Sequence, residues 1–116
     1  MNWNALTNSD QLQLLIKESA EQPVLIFKHS TSCSISRAVL DRIERNLSTA
    51  LTHVKPYYLD LLTYRPVSNQ VASVLNIEHE SPQAIVLYQG SPIYVQSHFS
   101  IDINGIKSAL PTPLKS

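Results

Sequence analysis

The chain has 116 residues, a length at which one compact domain buries a core without metal or disulfide staples. Nine basic residues balance nine acidic ones and no cluster of Lys and Arg is present, which argues against nucleic acid and anionic membranes as partners. The start, MNWNALTNSD, has neither a basic flank nor an apolar run, no stretch approaches the roughly 18 apolar residues of a spanning helix, and one unpaired cysteine suits a reducing compartment; the expectation is a cytoplasmic protein with a single domain over residues 1–116.

The first predicted element is a helix capped by Ser9 or Asp10, with Leu12, Leu15, Ile16 and Ala20 at helical spacing, ending near Gln22 before Pro23. The run VLIFK, residues 24–28, is almost wholly apolar and free of turn residues, the pattern of a strand buried on both faces. Ile35, Ala38, Val39, Ile43 and Leu47 then predict an amphipathic helix of three to four turns, with Arg37, Asp41, Arg42, Glu44 and Arg45 on its polar face. It starts within a residue or two of Cys33, and Thr31 or Ser32 can cap it.

KPYYLDL, residues 55–61, carries aromatic residues and alternation and is read as a second strand. A helix follows with Pro66 at its first position and Val67, Val71, Val74 and Leu75 on one face. AIVLYQGSPIYVQSH, residues 84–98, is a hairpin; with Gly90-Ser91 at a type II′ turn, facing residues sum to 181, which sets Gln83 opposite His98. A short helix from about Asp102 to Leu110 closes the domain before a loose tail, 111–116. Alternating units followed by an antiparallel pair give an α/β architecture: a mixed four-stranded sheet, its short first strand absent or vestigial, with helices on both faces.

Cys33 sits in HSTSCSIS, residues 29–36, among small hydroxyl residues at a helix start. Cysteine is often an inert small hydrophobe. At a helix N-terminus, however, partial positive charge and free N–H groups favour the thiolate, which is the nucleophilic form, and Thr31, Ser34 and Ser36 can add hydrogen bonds. Acidity alone gains little. Lowering a thiol's pKa from about 8.5 to about 6.5 raises its thiolate fraction at pH 7 about 25-fold and costs about eightfold in nucleophilicity, so access and position matter as much.

The element order is that of the thioredoxin fold, and FKHSTSCSIS, HESPQAIVLY and SHFSI resemble the monothiol bacilliredoxins (YtxJ type) along essentially the whole chain. The resemblance implies a thiol–disulfide oxidoreductase that acts on S-bacillithiolated proteins. Cys33 would be the nucleophile, and bacillithiol a co-substrate rather than a bound cofactor. Ser36 stands where a dithiol thioredoxin has its second cysteine and would border the substrate; a further bacillithiol or a partner thiol, with a possible reductase behind it, must resolve the intermediate. Pro82 corresponds to the cis proline of such folds, and Ser81 would offer its backbone to the substrate. His98, beside Gln83 in the expected register, and Arg37 are candidates to hold the malate carboxylates of bacillithiol; a strand-end histidine bonded to backbone is the plain alternative for His98.

Two departures from dithiol thioredoxins stand out. Phe27 occupies the position of their buried carboxylate, six residues before Cys33, and Ser32 replaces the Trp that precedes their nucleophile. His29, His53 and His79 lack the spacing of metal ligands, so no metal is assigned and surface or structural roles are expected. Trp3 is read as a lid over the core near Leu6. Two further functions stay open: a redox-inactive binding module holding a partner at the Pro82 surface, and a dimeric iron–sulfur carrier, against which the lack of glycine-rich features speaks.

Overall fold

A computed structural model describes residues 3–30, 34–47 and 54–110. Cys33 with Thr31 and Ser32, His53 and the tail 111–116 lie outside the described residues. The elements are β1 (Asn4–Ala5), α1 (Ser9–Glu18), β2 (Val24–His29), α2 (Ser34–Leu47), β3 (Lys55–Asp60), α3 (Arg65–Leu75), β4 (Gln83–Tyr88), β5 (Ser91–Ser97), one 3-10 turn (His98–Ser100) and α4 (Ile103–Ala109). The sheet has five strands in the order β1-β3-β2-β4-β5, not four. The extra strand is two residues of backbone pairing at the edge, parallel to Tyr57-Tyr58, and too short to leave an alternation in sequence.

The central strand, β2, runs parallel to β3 and antiparallel to β4. All six of its residues are buried, as a continuous apolar run demands, and the burial extends to Lys28 and His29. Alternation along it divides the interior. Val24 and Ile26 face a core with Leu12, Leu15, Val67 and Val71 of α1 and α3. Leu25 and Phe27 face a second core with Val39, Ile43, Ile103 and Ile106 of α2 and α4.

The structure moves several expected boundaries. Asn8 caps α1, since its side chain accepts from Gln11 N–H while the Gln11 side chain reaches back to the cap backbone, a reciprocal pair that neither Ser9 nor Asp10 can make. The helix stops at Glu18 rather than near Gln22 because Ser19 is drawn to the hairpin turn: its carbonyl accepts from Gln89 N–H and its hydroxyl from Gly90 N–H. In α3, Pro66 is the second residue; Val74 is 45% exposed, and Ser68 is buried on the inner face instead. Ala38 of α2 is likewise exposed.

The hairpin turn is Gln89-Gly90, not Gly90-Ser91. Both residues have positive φ, 55° and 79°, the signature of a type I′ two-residue loop, whose twist matches that of the strands. Facing residues sum to 179 beside the turn and 180 beyond a bulge at Ile93, so Gln83 pairs with Ser97 and His98 is displaced into the 3-10 turn. Beyond the bulge, from Tyr94 to Ser97, the slip from the expected register is one residue and reverses which face each side chain meets, so turn and bulge together decide this edge of the sheet.

Candidate active site

Cys33 belongs to the connection between the end of β2 and the start of α2, and the two described ends of that connection are joined to each other. Ser36, in the first turn of α2, has no exposed surface. Its Oγ accepts from Ser30 N–H at 3.2 Å and lies 2.6 Å from His29 Nδ1. The expected surface contact of Ser36 with a substrate is therefore not what the fold makes of it; helical phase turns residue 36 inward, where its hydroxyl fastens the loop. Ser34, the first residue of α2, is exposed, as is Arg37.

Burial holds the His29 pKa below the usual histidine range; the Arg37 charge acts in the same direction, and Asp60, Asp41 and Glu44 oppose it. The ring is thus neutral at neutral pH. The Ser36 hydroxyl accepts the Ser30 N–H and also pairs with Nδ1 of this ring. The imidazole stacks on Phe27 at 5.9 Å and leans on Tyr58 at 5.4 Å. Trp3 closes this box, 6.2 Å from Phe27 and 6.1 Å from Tyr58, and its indole N–H donates to Glu44. Trp3 therefore covers the core on the Phe27 side rather than near Leu6, which lies in the core on the other face, and Glu44 is not merely a solvated charge.

The second wall is the loop before β4. The Ser81–Pro82 peptide is cis and Pro82 is buried. His98 N–H donates to the Pro82 carbonyl at 2.9 Å, so the histidine is joined to the proline by backbone even though the register differs from the expected one. Its φ is 52°, it is exposed, and the 3-10 turn it begins packs against α2 with Phe99 64% exposed. Among the described residues, two buried oxygens flanking Pro82, Ser81 Oγ and Gln83 Oε1, have no hydrogen-bond partner. The Gln83 amide nitrogen donates to the Glu78 carbonyl at 2.9 Å.

Sequence reasoning missed Lys28. It is fully buried next to His29, and burial pushes its pKa down to about 8. Its Nζ donates to the Ser68 carbonyl at 3.1 Å and lies 3.2 Å from His79 Nδ1. The His79 pKa is also lowered, by burial first and then by Lys28 and Arg65 against the opposing Glu80. The available signal was a charged residue inside an otherwise apolar central run, a place where polar side chains need fixed partners.

Over residues 4–106 the chain matches the family of the monothiol bacilliredoxin BrxC. A solved structure described as a candidate oxidoreductase with a thioredoxin fold is 29% identical, with a TM-score of 0.81 and 91% of each chain covered. Mitochondrial thioredoxin 3 from Saccharomyces cerevisiae shares the fold at 14% identity and a TM-score of 0.74, covering 93% of this chain and 92% of its own. A thioredoxin variant from Halobacterium salinarum does so at 12% identity and a TM-score of 0.68, covering 92% and 86%. No described helix is long and apolar enough to cross a membrane. With the cis Ser81–Pro82 peptide and a family match over residues 4–106, the chain belongs to the monothiol bacilliredoxin family, as a thiol–disulfide oxidoreductase of thioredoxin fold.

Proposed function

We propose that the Cys33 thiolate removes bacillithiol from protein mixed disulfides in the cytoplasm. It attacks the bacillithiol sulfur, a new Cys33–bacillithiol disulfide forms, and the protein thiolate leaves. A second bacillithiol thiolate then attacks that disulfide, freeing Cys33 and giving oxidised bacillithiol, which a reductase partner returns to the thiol. The observation that carries the reading is the family match across nearly the whole chain together with a cysteine count of one. The buried Ser36 supports a one-thiol cycle, because no sulfur stands at that position to compete for the intermediate.

In this reading Thr31, Ser32 and Ser34 help to stabilise the thiolate, and the backbone at Ser81, held rigid by Pro82, receives the substrate. Arg37 and His98 supply exposed groups for the malate carboxylates. A protein substrate capped with bacillithiol, mixed with the purified chain, will lose its cap while Cys33 gains the mass of bacillithiol. Cys33→Ser will show no detectable de-capping; full activity in that variant excludes the reading. A partner pull-down that survives Cys33→Ser, with Cys33 reacting with iodoacetamide at pH 6 no faster than a free thiol, identifies a binding module instead.

A further inference from the structure

Lys28 presents a problem that the proposed chemistry does not resolve. Its side chain has no exposed surface, and desolvation dominates its energetics, with no carboxylate among the groups acting on it. Such a group is hard to explain as a stabilising element, since an apolar side chain of similar size would pack without the desolvation penalty. Its surroundings show what it touches. The strand register sets Lys28 beside Leu59 of β3 and Gln83 of β4. Alternation turns it to the α1 and α3 face, away from α2. Its ammonium therefore points away from the helix that follows Cys33 and toward the segment that leads to Pro82.

That segment, residues 77–82, has no helix or strand of its own. Two side-chain ties attach it to the body of the protein. The Gln83 amide holds the Glu78 carbonyl, and His79 Nδ1 is reached by Lys28 Nζ from the sheet at 3.2 Å and by Ser68 Oγ from α3 at 3.3 Å. Only Glu80 and Ser81 separate His79 from Pro82, so whatever fixes the imidazole limits where the Ser81–Pro82 backbone can go.

We propose that Lys28 is a positioning residue: bridging the Ser68 carbonyl and His79 Nδ1, it fastens the 77–82 segment to the central strand and so sets the pose of the Ser81–Pro82 backbone that receives the mixed disulfide. The part concerning substrate rests on the function proposed above, whereas the mechanical tie does not. A neutral His79 ring is what accepts the Lys28 hydrogen, in agreement with the lowering of its pKa.

Two measurements on the full chain test this. In amide exchange, Lys28→Met and His79→Ala will each speed exchange of the His98 N–H, which is bonded to the Pro82 carbonyl, by about tenfold, while amides in α2 keep their rates. His79→Asn, whose Oδ1 takes the place of Nδ1, will restore protection, and the double variant will be no looser than either single one. In de-capping of a bacillithiol-capped protein, the same two variants will raise KM about fivefold, with kcat and the rate of Cys33 alkylation by iodoacetamide changed less than twofold. Multiplying effects of Lys28→Met and His79→Ala, or unchanged His98 exchange, overturn the tie. A fall in alkylation rate with unchanged KM overturns it in favour of an electrostatic action on the thiol. If the native chain removes no cap at all, the functional reading fails while the exchange experiment still decides the tie. His79 is exposed, so its variants fold even if Lys28→Met does not.

Discussion

Lys28 and His29 are neighbours on the same buried strand, and alternation sends them to opposite faces of the sheet. His29 enters an aromatic box of Phe27, Tyr58 and Trp3 and closes a short bond to Ser36. Lys28 reaches between α3 and the loop before β4, where it meets the Ser68 carbonyl and His79 Nδ1. On the α2 face, a neutral ring is packed and satisfied, so stability and placement of the loop are one thing. On the α3 face a cation is satisfied in part, and the gain lies in holding a loop rather than in free energy of folding.

The largest test of that contrast compares His29→Ala with Lys28→Met. The histidine variant empties a ring-sized space and takes a partner from Ser36, so urea unfolding is expected to show a loss of about 3 kcal/mol. The lysine variant removes a buried charge and keeps the bulk, so the change is expected within about 1 kcal/mol of zero. Equal losses would erase the distinction between the two faces. Ser36→Ala comes next: it leaves the Ser30 N–H and the His29 ring without their shared partner, at an expected loss of about 2 kcal/mol. A loss under about 0.5 kcal/mol would mean that the bond adds nothing to the box.

The smallest effect is in pH dependence, where both residues act with the same sign. The folded pKa of His29 is below its ordinary value of 6.5, so the unfolded chain binds the proton first and stability falls as pH drops below that value. His79 acts in the same window, so His29→Gln will flatten this acid limb only in part. For Lys28 the window lies between about 8 and the ordinary 10.5; there the unfolded chain again holds more protons, and stability rises with pH. Between pH 8 and 9.5 its contribution is at most about tenfold in the unfolding constant per pH unit, and Lys28→Met will remove it. The raised pKa values of Tyr57, Tyr58 and Tyr94 act in the opposite sense at higher pH, which is why the measurement stops there.

Periodicity and composition were enough for the order of elements, the buried central strand and the amphipathic helix after Cys33, because each depends on short-range pattern and on which residues leave water. The three blocks of resemblance carried the family and drew attention to Pro82. What sequence could not supply were choices made between segments far apart in the chain. Whether the hairpin turned at Gln89-Gly90 or one residue later depended on backbone donors finding Ser19, about 70 positions away, and that choice moved His98 out of the strand. Whether Trp3 covered one core or the other depended on reaching Phe27, Tyr58 and Glu44. Lys28 passed without notice in an almost wholly apolar run, and its role depends on α3 and the proline loop closing around it. Local pattern reports which side chains want to be buried; only the assembled chain decides which partners they meet there, since a buried polar group is satisfied by whatever the tertiary fold brings within about 3 Å.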